Sequence, residues 1–249
     1  MATIGIFDSG SGGLSVLKEI KKALPDEKYI YFSDNAWCPY GEKTPKFIRE
    51  RCRAITDMLL SKGADVIVIA CNTATAAAIA TLRQEYSIPF VGMEPAVKPA
   101  ALGTRTGVIG VLATAGTLKA SKYLDTRDRY TGGVSVVEHV GQGFVELVES
   151  GELQGEHAEE VVTRSLAPLL EAGADTIVLG CTHYPFLLDV LQKVAGPDIR
   201  FIDPAPAVAR RLASILAEKQ IPHADGGAAD VELLSSGPSD TLRRLYGLI

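Results

Sequence analysis

Two cysteines, Cys71 and Cys181, close two stretches built on one frame, G-A-D-x-I-V-x-x-C: GADVIVIACNTATAAA from Gly63 and GADTIVLGCTHYP from Gly173. In each, the apolar run reads as a parallel strand buried on both faces. That puts the thiol at a strand's carboxyl end, the edge where open α/β sheets bind ligands. Asn72 or Thr73 is placed to cap an alanine-rich helix after Cys71, and Pro185 to open one after Cys181. A helix start beside a thiol favours the thiolate. Two equivalent thiols suit inversion at a carbon acid: one group takes a proton from one face, the other delivers a proton to the opposite face, and the roles exchange in reverse. The ordinary thiol pKa of about 8.5 lies close to working pH.

Other residues can support that chemistry. Asp8, at the end of the first strand, is a candidate to manage the proton of Cys71, and His183, two residues after Cys181, that of Cys181. Ser9, Asn72, Thr73, Thr114, Thr117 and Thr182 supply hydroxyl, amide and backbone donors at strand ends, as an amino acid's carboxylate requires, and Tyr40-Gly41 adds backbone contacts. Taken singly, each also has a plainer role as a cap, turn or core residue. Cys38, in a loop with no repeat partner, and Cys52, inside a helix, are assigned only that plainer role.

The elements that must position these groups alternate strand and helix. Thr3–Phe7, Lys28–Phe32, the Cys71 strand and Pro89–Gly92 are strands. Helices follow the first, the second (capped by Thr44, with Pro45 in its first turn) and the third. The chain then begins again: strands at Thr106–Leu112, Val134–Glu138, before Cys181 and at Ile199–Ile202, with helices near Gly143–Glu149, Glu156–Glu171 and from Pro185. A helix from Pro206 to Lys219, a Gly226-Gly227 turn, a strand near Val231–Leu234 and a last helix complete the reading. Three landmarks recur in order, Ile4-Gly5-Ile6 with Ile109-Gly110-Val111, Cys71 with Cys181, and Glu94-Pro95-Ala96 with Asp203-Pro204-Ala205, at offsets of 105, 110 and 109 residues. Near-constant offsets indicate an internal duplication. The expected fold is α/β, two pseudo-symmetric domains with mainly parallel sheets and an active site in the cleft between them. The expected boundaries are 1–97 plus 207–249 for the domain carrying Cys71 and 98–206 for the domain carrying Cys181.

The 249 residues, 47% hydrophobic, suffice for such a core, and a net charge of −5 argues against nucleic acid or an anionic membrane as partner. No apolar run reaches membrane-spanning length, and the amino terminus lacks the pattern of a signal peptide. Four cysteines without C-x-x-C or zinc spacing fit reduced thiols in the cytoplasm, with no metal site.

DSGSGGLSVL, PYGEK, ACNTATA, the central TAGT and GCTHYP, in that order and across nearly the whole chain, resemble the glutamate racemases of the cofactor-independent aspartate/glutamate racemase superfamily. The resemblance implies interconversion of L- and D-glutamate with no cofactor, supplying D-glutamate for bacterial peptidoglycan. It makes Cys71 and Cys181 the paired acid/base residues, with Asp8, Ser9, Tyr40, Gly41, Asn72, Thr73, Thr182 and His183 contacting or supporting the substrate and Thr114 and Thr117 joining them. It also makes Glu149, in FVELVESG, the acidic residue on the His183 side. Departures from the family pattern are Trp37-Cys38 before PYG and Asp203-Pro204 where Asp-Ser is frequent. The N-terminal extension with which some enterobacterial relatives bind an activator is lacking, so regulation of that kind is not expected. The assembly stays open, a homodimer being one arrangement allowed.

Two readings of other classes compete. Gly10-x-Gly12 after the first strand and Asp34 after the second imitate a dinucleotide site, but Ser15 replaces the third glycine and Asp8 would set a carboxylate near the pyrophosphate. A two-lobed amino-acid-binding protein would need neither cysteine. Within the superfamily, the alternative is aspartate or another carbon acid as substrate.

Overall fold

Short apolar strands that alternate with amphipathic helices leave few options but parallel sheets covered on both faces. The computed structural model describes residues 1–222 and 230–249. The first half runs β1 (Thr3–Asp8), α1 (Leu14–Ala23), β2 (Lys28–Ser33), α2 (Pro45–Ser61), β3 (Val66–Ile69), α3 (Asn72–Glu85) and β4 (Phe90–Gly92). Helix α4 (Val97–Gly103) leads to β5 (Val108–Ala113), α5 (Ala115–Leu118), α6 (Ser121–Tyr130), β6 (Ser135–Val140), α7 (Phe144–Ser150), α8 (Glu156–Glu171), β7 (Thr176–Gly180), α9 (Leu188–Ala195) and β8 (Arg200–Ile202). Then α10 (Ala205–Glu218), β9 (Asp230–Ser235) and α11 (Asp240–Tyr246) complete the chain. The expected Gly226-Gly227 turn lies outside the described residues.

Two sheets form, ordered β4-β3-β1-β2-β9 and β6-β5-β7-β8, with every strand pair parallel. Strands β1 to β4 hold the same relative places in the first sheet as β5 to β8 in the second. The repeat extends to close packing. Gly5 on β1 lets α2 approach, since a Cβ there would stand 3.2 Å from a Leu59 methyl; Gly110 on β5 does the same for α8, at 3.1 Å from a Leu169 methyl. The aspartate of each G-A-D braces the start of the neighbouring central strand: Thr3 N–H donates to Asp65 Oδ2 at 2.8 Å, and Arg105 N–H to Asp175 Oδ2 at 2.6 Å. Against the cost of desolvation, Thr104 Oγ1 and the Arg105 and Thr106 N–H groups hold the Asp175 carboxyl down at about 2. Strand β9 adds to the first sheet beside β2, so the end of the chain returns to the half where it began.

The helix of α2 is capped as its sequence suggests, with Phe47 N–H donating to Thr44 Oγ1 at 3.3 Å. One expectation needs correction. Pro185 starts a 3₁₀ turn, Tyr184–Leu187, and the α-helix begins only at Leu188; a proline there serves a tight turn because it has no N–H to donate. The segments α4, α5 and α6 carry no assignment in the sequence reading. Helix α6, SKYLDTRDRY, buries only Tyr123 and therefore shows almost no apolar periodicity.

Candidate functional site

Strands β1, β3 and β7 end at one place, where the two sheets face each other. A cavity of about 10 Å³, roughly the room of one water, lies between them and is lined by residues from both halves. Cys71 and Cys181 both line it, as do Ser9, Tyr40, Gly41, Asn72, Thr73, Thr114, Thr182 and His183. Asp8, Glu149 and Thr117 do not reach the lining; they stand behind Ser9, His183 and the threonines.

Cys71 is itself the N-cap of α3, a position expected for Asn72 or Thr73. Its Sγ accepts from Ala74 N–H at 3.4 Å, and its thiol donates to Ser9 Oγ at 3.7 Å. The expected pull toward the thiolate is present in the Ala74 N–H but is outweighed: burial and the neighbouring Asp8 carboxylate push the Cys71 thiol well above its ordinary value. Asp8 is buried, accepting from Ser9 N–H and Gly13 N–H, both at 2.7 Å, and from Thr182 Oγ1 at 3.2 Å. Burial raises its carboxyl nonetheless.

The other thiol has a different neighbourhood. No α-helix starts at Cys181; its Sγ lies 3.8 Å from His183 Nδ1. On the far side of the ring, His183 Nε2 lies 2.7 Å from Glu149 Oε1. Burial alone would depress His183, but the Cys181, Cys38 and Glu149 side chains hold it well above its ordinary value. Glu149 is held low despite burial by His183 and by Ser11, whose N–H donates to Oε1 at 2.6 Å. The Nε2–Oε1 contact and the opposite directions of the two shifts favour the charged forms of both groups. Gly10 and Gly12 make this possible: a Cβ on Gly12 would stand 2.4 Å from His183 Nδ1, and one on Gly10 2.3 Å from Glu149 Oε1. That close approach accounts for the glycines that imitate a nucleotide loop.

Around these pairs lie hydrogen-bonding groups. The Thr73, Thr114 and Thr117 hydroxyls form a triangle with sides of 3.0, 3.3 and 3.0 Å that bridges the two halves, and Thr114 also caps α5. The Tyr40 hydroxyl is committed to Asp34, which also takes a two-pronged grip from Arg51 at 2.7 and 2.9 Å. Tyr40 and Gly41 are thus left to offer main-chain atoms, with Gly41 pressed so close that its Cβ would lie 3.0 Å from Thr114 Cβ. Asn72 differs from all of these. Its Nδ2 is buried and has no hydrogen-bond partner among the described residues. At the cavity wall, such a donor is free to meet a ligand.

The structure gives supporting roles at the site to residues not assigned one from the sequence. Ser11 ties Glu149 to the first half, Ser15 Oγ donates to Thr182 O at 2.9 Å, and Asp34 with Arg51 anchors the Tyr40 turn. Cys38 is the main correction: assigned a plain loop role, it packs against His183 and is among the groups that raise it. Its only sequence signal was its place immediately before PYG. Cys52 stays buried within α2, away from the cavity, its thiol pushed up to about 12 by burial. No helix among the described residues is long and apolar enough to cross a membrane.

Comparison with known proteins agrees with this geometry. The family model described as Asp/Glu/Hydantoin racemase matches residues 4–212. The glutamate racemase of Stutzerimonas stutzeri is 48% identical over the whole of this chain and 94% of its own length. Among solved structures, a glutamate racemase of Bacillus anthracis aligns with a TM-score of 0.88 at 32% identity, covering 98% of this chain and 92% of that one. That of Escherichia coli, in complex with L-glutamate and the activator UDP-MurNAc-ala, aligns with a TM-score of 0.87 at 36% identity, covering 99% and 93%. With the match running through both sheets and both cysteine strands, the chain belongs to the Asp/Glu/Hydantoin racemase family.

Proposed function

We propose that this protein interconverts L- and D-glutamate by proton transfer at Cα between two thiols. The observation that carries the reading is that Cys71 and Cys181, ending equivalent strands of two equivalent sheets, line one small cavity from opposite halves. Cα held between them has one thiol on each face. Asp8 relieves Cys71 of its proton and returns it, and the His183–Glu149 pair serves Cys181 in the same way. Removing the Cα proton builds negative charge on the substrate carboxylate. Donors fixed in advance stabilise that charge: the unpartnered Asn72 amide, the Ser9, Thr114 and Thr182 hydroxyls, and main-chain N–H groups. Well-placed acid and base groups contribute about 10²- to 10⁴-fold each. The cavity is far smaller than glutamate, so substrate entry requires the halves to part, loosening the Ser11–Glu149, Ser15–Thr182 and Thr73–Thr114 bonds that tie them.

The same reading divides the chain into 1–97 plus 207–249 and 98–206, supported by the packing of α4 on β5, β7 and α6 and of α10 on α1. It places the enzyme in the cytoplasm, in keeping with four unpaired cysteines, supplying D-glutamate for peptidoglycan, with a homodimer as the assembly to test by sedimentation. Incubation of folded protein with L-glutamate in deuterated water builds up D-glutamate labelled at Cα. Folded protein that gives neither label nor D-isomer overturns the reading, and faster inversion of L-aspartate than of L-glutamate moves the substrate to the shorter acid.

A further inference from the structure

His183 has two sides. One faces Cys181; the other carries more than a proton relay requires. Cys38 Sγ, a Glu149 carboxylate oxygen and a His183 ring nitrogen all lie within 4.8 Å of one another. They surround Gly10: a Cβ on that glycine would stand 2.3 Å from Glu149 Oε1, 2.9 Å from Cys38 Sγ and 3.1 Å from His183 Nε2. The missing side chain lets all three donor atoms crowd against this glycine from one side. Cys38 and Glu149 are each partly exposed, so the cluster can be reached from outside while His183 is buried.

One thiolate, one imidazole and one carboxylate are the ligand types of a borderline-soft cation, bound at about 2.3, 2.0 and 2.1 Å in a tetrahedron whose fourth corner is open to water. Donor atoms of such a tetrahedron stand roughly 3.3–3.6 Å apart. Closing on an ion therefore asks Glu149 Oε1 and His183 Nε2, now 2.7 Å apart, to separate by less than one ångström. A thiolate and a carboxylate also balance a divalent charge.

We propose that Cys38, Glu149 and His183 form a binding site for a divalent transition-metal cation of the zinc class, and that its occupancy shuts racemisation off. Binding forms bonds from the metal to Cys38 Sγ, Glu149 Oε1 and His183 Nε2, and releases the Cys38 and Nε2 protons to solvent. The imidazole is then fixed to the metal and its link to Glu149 is broken, so it no longer relays a proton for Cys181. The inhibition rests on the proposed role of His183; the binding does not.

Cobalt(II) is the probe, added to a Cys71→Ala/Cys181→Ala protein whose fold is verified by circular dichroism, so that the two cavity thiols cannot contribute. One equivalent of cobalt binds with a sulfur-to-metal charge-transfer band. Further substitution Cys38→Ala removes that band, and Glu149→Gln in the same background weakens binding more than the roughly 10–100-fold that losing an outer partner costs. No band from the folded double variant, or a band that survives Cys38→Ala, overturns the site. In the unsubstituted enzyme, zinc ion lowers turnover and a chelator restores it, whereas Cys38→Ala keeps its own metal-free rate at the same zinc concentration. Full activity with the site loaded overturns the inhibition while leaving the site in place.

Discussion

Glu149 Oε1 stands 2.7 Å from His183 Nε2, although the two residues belong to separate elements, helix α7 and the turn that follows β7. The same oxygen accepts the Ser11 N–H from the first half. One carboxylate thus fixes the ring that faces Cys181 and ties the two halves together beside the cavity.

Replacing that charge tests both roles. Glu149→Gln lowers the His183 pKa, so the alkaline limb of the turnover profile moves to lower pH, with a rate loss of about 10²-fold near neutrality. Stability changes with a definite sign. Glu149 is depressed, so its contribution is present above the ordinary carboxylate value of about 4.3 and is lost as pH falls through its folded value. His183 is raised, so its contribution is complete below about 6.5 and is lost as pH rises through its folded value. Melting temperature against pH therefore shows a plateau between those limits that Glu149→Gln flattens. Asp8, whose raised carboxyl costs stability above the ordinary aspartate range, contributes the same background to both proteins.

The two thiols are each indispensable for inversion. Cys71→Ala and Cys181→Ala each lower racemisation by about 10³-fold or more, followed by optical rotation in both directions. Cys71→Ala also removes a helix cap, costing roughly 0.5–1 kcal/mol, small enough that circular dichroism finds a folded protein. Near-normal turnover by either variant excludes a two-thiol reaction.

Asn72 separates binding from folding. Its Nδ2 has no hydrogen-bond partner among the described residues, so Asn72→Ala leaves the melting temperature nearly unchanged. In the complex it loses a bond to a charged carboxylate, worth about 1.5–3 kcal/mol. KM for glutamate rises by about 10- to 100-fold on that account, with kcat changed less. A fall in stability with KM intact would assign the amide to the fold instead.

Gly12 is required by the ring that lies against it. In Gly12→Ala the new Cβ meets His183 Nδ1 at 2.4 Å, so the imidazole must shift. Displacement of that size costs about 10²-fold in kcat, whereas the overpacking costs only about 1–3 kcal/mol of stability. Steady-state kinetics beside chemical denaturation distinguishes the two.

Much of this molecule is written locally. Buried strands, their polar ends and the repeated G-A-D frame are properties of a few adjacent residues, so the sequence by itself determines two parallel sheets and two cysteines at equivalent strand ends. Charge-rich α6 and the turn at Pro185 lack an apolar period, and there the reading falls short. What only the tertiary structure decides is the environment of each thiol, because solvation and charge depend on groups distant along the chain. Burial and Asp8 push the Cys71 thiol up despite its place at a helix start, Cys181, Cys38 and Glu149 raise His183 against its burial, and the fold brings Cys38 against that same ring. Spacing can say that two thiols are equivalent; packing makes them chemically different.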